Sequence, residues 1–191
     1  MKINYKHIYL RTRQMLTHPA LVWPEALKEN FTFREVFHSY LFPVTIGLSA
    51  IVFLLGLIHY SPLQALGTGI INLISGTSGA WFTYLITREY LCKKLNYRTY
   101  EAMNLTVYSY TVYILFHSIG SAIGNTFIGQ IFILFSFIFL KTLYTGIGQL
   151  HELPANHKNN ILVITGLSTV FIPTILTQIL MIVFRISAIN I

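Results

Sequence analysis

The chain contains no aspartate, a single cysteine and few charges, and each shortage closes off a class of function. Without Asp, a mechanism built on an aspartate pair or an Asp-held metal is excluded. Cys92 has no second thiol to join, so an intramolecular disulfide is excluded too. It reads as a small reduced side chain at a membrane edge rather than a reactive group. Charged residues make up 10% of the chain, against about 25% in an ordinary soluble domain. No secretory leader is expected, because Lys6, Arg11 and Arg13 interrupt residues 5–16 where its apolar region would lie.

What remains is arranged with a clear period. All ionised side chains fall in residues 1–35, 88–101 and 141–158 and at Arg185. Between them lie charge-free stretches of 52, 39 and 26 residues, at 36–87, 102–140 and 159–184. A helix needs ~20 apolar residues to cross the hydrocarbon core. The stretches therefore hold two, two and one crossings. The expectation is an all-α polytopic membrane protein with five transmembrane helices, near 36–59, 65–87, 102–123, 127–144 and 161–184. Residues 36–191 form the membrane domain and 1–35 a segment preceding it. Ser61-Pro62 and Gly124-Asn125 supply the two hairpin turns.

The net charge of +7 then reads as topology rather than as nucleic-acid binding. Lys and Arg number six, four, two and one in the successive islands. Placing the first three islands on one side puts twelve of the thirteen cations there, and the hairpins at 60–66 and 120–125 carry none. The positive-inside rule makes the N-terminus cytoplasmic and the C-terminus external. Anionic lipid headgroups are a second expected partner of these cations. Contacts with lipid or a protein partner are expected at Arg11, Arg13, Trp23, Arg88, Lys93, Lys94 and Arg98.

Residues 1–35 are too polar to span. Tyr5, Ile8, Tyr9, Thr12, Met15 and Leu16 follow helical spacing, with Lys6, Arg11 and Arg13 mostly off the stripe. This predicts a short amphipathic helix on the cytoplasmic surface, with Trp23 as an interfacial anchor. Thr32-Phe33-Arg34-Glu35 is a capping box that opens the first span. Pro173 falls mid-span in the fifth helix and is expected to kink it, with Thr169 or a neighbouring helix covering the freed carbonyl.

Small residues let helices approach in lipid. The second span is rich in them, with Gly76 and Gly79 beside Ser75 and Asn72, and the third carries Gly120-x-x-x-Gly124. Both spans are expected inside the bundle. The same polar residues, with His117 as the one deep titratable group, are the candidates for helix packing or for a transport pathway. No cofactor and no metal site is expected. His151 and His157 lie six apart with Pro154 between them, which the one-turn spacing of a zinc-protease helix does not allow. Ser78 and Ser109 lack an acid to orient a base.

Several short motifs recur in a recognisable order. They are His18-Pro19 with Trp23 and a Glu at 25 or 29, Tyr40-x-x-Pro43, Tyr108-Ser109-Tyr110-Thr111, Leu143-Tyr144-Thr145-Gly146-Ile147, and Leu153-Pro154 with Lys158. Together they resemble the bacterial branch of the Yip family, membrane proteins named for eukaryotic relatives that interact with Ypt/Rab GTPases. Val112 stands where that family often carries a proline. The resemblance implies five spans with a cytoplasmic N-terminus, residence in a bacterial inner membrane, and a non-catalytic role in organising membrane or binding partners. Other membrane proteins or a second copy of the chain are the partners it suggests. The alternative is a small transporter or channel, with the second, third and fifth spans lining a path.

Overall fold

The structure is a computed structural model describing residues 5–124, 126–151 and 153–184. The described residues are helical, without strands. Two short helices, α1 (Tyr5–Thr17) and α2 (Pro19–Ala26), precede the bundle. A continuous helical stretch follows, made of α3 (Phe33–Val36), wider π-helical turns at Phe37–Leu41, and α4 (Phe42–Gly56). Helix α5 (Pro62–Arg88) runs back and ends in π-helical turns at Glu89–Lys94. The rest is α6 (Thr99–Ile123), α7 (Phe127–Ser136), α8 (Ile138–Gly148) and α9 (Ala155–Val183).

The boundaries follow local chemistry. Thr32 Oγ1 accepts from the Glu35 amide while the Glu35 carboxylate accepts from the Thr32 amide at 2.7 Å, the reciprocal box that opens α3. Ser61 and Gln64 build the same device at α5, with Pro62 at the first helical position, where a missing amide is harmless. Gly124 ends α6 at φ +72°, ψ −157°, a conformation that only glycine adopts cheaply. Its hairpin partner Asn125 lies outside the described residues, as do Glu152 and Arg185.

Among the described residues, three helices are long and apolar enough to cross a membrane: Phe33–Gly56, Phe127–Gly148 and Ala155–Val183. The exposed side chains agree with that length. Val163, Leu167, Phe171, Ile175 and Ile179 form an uncovered apolar stripe along α9, a surface that suits lipid rather than water. Helices α5 and α6 are also long, at 27 and 25 residues, but more polar. Every residue of α6 from Ala102 to Ile114 is buried. It is the central helix, packed by α4, α5, α7 and α8.

The first long helix opens at the Thr32–Glu35 box, as the sequence led one to expect. Three details differ from the sequence expectation. The stretch near 127–144 is broken at Phe137 and continues to Gly148. Helix α9 continues on both sides of Pro173, and Thr169 Oγ1 has no bonding partner among the described residues, so of the expected covers for the freed carbonyl this hydroxyl is not one. The largest difference is at the N-terminus. Helix α1 packs against α6 and α8 instead of lying apart on a surface. Its buried residues are Ile8, Arg11 and Met15, whereas Tyr5 and Tyr9 are exposed. The inward stripe thus passes through a cation that the apolar pattern had set aside.

Candidate functional site

Arg11 is buried because α2 and the turn after it bring acids to meet it. Its guanidinium donates to the Glu29 carboxylate and lies 3.7 Å from Glu25. The Arg11 and Glu29 side chains are only 7% and 16% exposed. Glu29 also accepts from the Tyr108 hydroxyl of α6, and Arg11 sits over the Tyr108 ring. Tyr40, in the π-helical turns, packs edge-on against Tyr108 and shares a 2.8 Å hydrogen bond with Thr12 of α1. Asn104 donates to the Ala26 and Glu29 carbonyls, both at 2.8 Å, covering backbone acceptors at the end of α2.

Trp23 completes this cluster from the other side. It is fully buried, its indole N–H donating to the Thr142 carbonyl at 2.8 Å. The Thr142 hydroxyl in turn donates to the Met15 carbonyl at 3.3 Å. Gly146 is the residue that admits the ring: a Cβ there would lie 2.7 Å from Trp23 carbon. The structure therefore puts Trp23 and Arg11 inside the bundle, rather than at an interface or against headgroups. It joins α1, α2 and the turn after it to α6 and α8 through hydrogen bonds, while Arg11 pairs with Glu25 and Glu29 within the N-terminal segment.

A second polar region lies between α4, α5, α6 and α9. Asn72 donates to Ser49 at 3.1 Å and accepts from Ser118 at 2.8 Å. Asn72 and Ser118, with Ser75 and His117, border a cavity of about 80 Å³. His117 stacks on Tyr113 with centroids 4.9 Å apart. The glycines expected alongside are elsewhere. Gly76 abuts Ile114, Gly79 abuts Tyr110 and Pro173, and Gly120 abuts Gly129 and Ile133. These are close helix contacts, and Gly124 serves the α6 terminus.

The remaining cations lie outside both clusters. Arg13, Lys93, Lys94 and Arg98 are exposed and Arg88 is half-buried. Lys93 bonds Glu89 at 2.7 Å, Arg88 approaches the same carboxylate at 3.5 Å, and together they hold its pKa below the ordinary value. Lys94 lies over Tyr90, and Arg98 donates to the Tyr100 hydroxyl at 2.7 Å. Arg98 also borders an open cleft of about 710 Å³ with Lys28, Glu101 and His151.

The chain was compared with protein families, with curated proteins and with solved structures. It matches none of them. What the chain does is therefore argued from its own residues. Sequence reasoning missed Tyr108 and Asn104 as bonding partners of the Arg11–Glu29 cluster, though Tyr108 stood among the motif residues. The one signal for Asn104 was an amide one turn into a charge-free helix, which calls for an acceptor nearby.

Proposed function

We propose that this chain is a five-span integral protein of a bacterial inner membrane, of the Yip-like class, that organises membrane or binds partners without catalysing a reaction. The observation that carries this reading is the convergence of Trp23, Glu29, Tyr40, Tyr108 and Gly146. Each belongs to a motif on which the resemblance rests, and all meet in one buried cluster. Motifs far apart in sequence that share one packing task support a common architecture. The task is to hold the N-terminal helices to the bundle, which is structural work. Cation placement supports a cytoplasmic N-terminus, and the exposed Arg13, Lys93 and Lys94 offer contacts on that side.

The test is site-specific photo-cross-linking from positions 13 and 94 in native membranes. The reading predicts a discrete protein adduct that excess unlabelled chain competes away. Adducts with lipid alone overturn the partner-binding part.

A second reading, a small transporter, is favoured by one observation: the polar cavity of Asn72, Ser75, His117 and Ser118 where α5, α6 and α9 meet. Because Gly76 and Gly79 lie at packing contacts outside it, Asn72→Leu is the better probe. Solute flux in proteoliposomes that this substitution leaves unchanged removes the pathway.

A further inference from the structure

An apolar groove opens on the outside of the bundle, between the start of the first crossing and the second half of α5. Its walls are aromatic: Phe33 and Phe37 on one side, Trp81 and Phe82 on the other, with Arg34 at its edge. The groove is open to the outside and its volume is about 570 Å³. The rings are fixed by one another. Phe33 meets Trp81 edge-on at 4.4 Å and stacks on Tyr84 at 4.8 Å. Trp81 and Phe82 remain exposed.

Charge at the groove is one-sided. Arg34 is exposed and forms no ion pair with the described residues. The neighbouring acid, Glu35, does not neutralise it, because its carboxylate is turned back to the Thr32 amide and hydroxyl at 2.7 and 2.9 Å. The capping box also sets the depth. The helix starts at Phe33, so Arg34 lies in its first turn, at the polar end of the apolar stretch. Phe37 is one turn further in, and α5 runs from Trp81 and Phe82 toward Thr77 in the same inward direction. A cation at the mouth with an aromatic trough leading inward is complementary to an anionic headgroup with an attached acyl chain.

We propose that this groove is a binding site for an anionic phospholipid, its phosphate on Arg34 and one acyl chain along Phe33, Phe37, Trp81 and Phe82. The site rests on the chain lying in a bilayer and not on its Yip-like role. It is separate from the basic residues of the α5–α6 connection. A single basic side chain near an anionic surface is worth about fivefold in affinity, which sets the expected selectivity.

The chain's two tryptophans make the test direct. Trp81 faces the groove, while Trp23 is fully buried. The full chain is reconstituted in phosphatidylcholine vesicles, and quenching is compared for brominated phosphatidylglycerol and brominated phosphatidylcholine. Trp81→Phe gives the background from Trp23. The expected result is an apparent affinity about fivefold higher for the anionic lipid. That preference is lost in Arg34→Gln and kept in Arg34→Lys, with helicity and unfolding midpoint unchanged. Equal quenching by the two lipids, or selectivity that survives Arg34→Gln, overturns the site. Absence of quenching by either lipid also overturns it, and means the groove is covered by protein. Chain that fails to float with the vesicles contradicts the membrane reading itself.

Discussion

Removing one partner of the Arg11–Glu29 pair should destabilise the protein far more than loss of a surface salt bridge. Arg11→Met keeps a long apolar stem against α6 while deleting the guanidinium. Glu29 then retains the Tyr108 hydroxyl but no cation inside the cluster. Breaking a buried pair from one side costs about 3–5 kcal/mol, whereas an exposed pair is worth about 0–1 kcal/mol. At about 2–4 °C per kcal/mol for a chain of this size, Tm should fall by roughly 6–20 °C. The double variant Arg11→Met/Glu29→Gln removes both charges, and should lose about 0.5–3 kcal/mol less than the sum of the two single variants. Detergent-solubilised protein unfolded by heat reports this through Trp23, whose ring meets Tyr108 edge-on at 6.2 Å. The loss should be insensitive to salt, since buried pairs are weakly screened. A single variant within about 1 kcal/mol of the parent, or a loss that vanishes at high salt, would refute the docking of α1 and α2.

Further predictions concern single positions. Gly146→Leu forces a side chain into the Trp23 ring and should cost about 1–3 kcal/mol by overpacking, read as a lower Tm with altered Trp23 emission; an unchanged Tm contradicts the close approach. Thr32→Ala removes the capping box of the first crossing and should cost about 1 kcal/mol, with Thr32→Ser restoring most of it in the same melt. Burial pushes the Cys92 thiol above its ordinary pKa. Since the thiolate is the reacting form, maleimide labelling of membranes should be slow at neutral pH and rise with each step toward alkaline pH. A rate at pH 7 equal to that of a free cysteine would show the thiol to be unburied.

The helical class and the starts of the first two long helices were legible because their signals are local. Thr32 with Glu35 and Ser61 with Gln64 carry their caps within four residues. The crowding of small residues in α5 likewise anticipated its close contacts, and Gly120-x-x-x-Gly124 anticipated α6 in the interior. The N-terminal cluster was not legible. Periodicity showed that α1 has two faces, but not which partner each meets. Arg11 turned inward because Glu29, eighteen residues on, and Tyr108, on another helix, supply an acceptor and a ring. A cation scored alone is assigned to water, and only a folded partner reverses that. The role of Gly146 was hidden for the same reason, since nothing near it in sequence mentions Trp23.

The proposed five crossings with the N-terminus inside go beyond the three helices among the described residues that have the length and apolarity of a typical span. Labelling intact cells with a membrane-impermeant thiol reagent separates these topologies. The probes are the native Cys92 and single cysteines at the exposed Leu63 and Phe127, each placed in a Cys92→Ser background. Five spans predict labelling at 63 and 127 from outside, and at Cys92 only after permeabilisation at alkaline pH. If only the three apolar helices cross, positions 63, 92 and 127 share one side, so Cys92 labelled together with 63 and 127 would contradict the account.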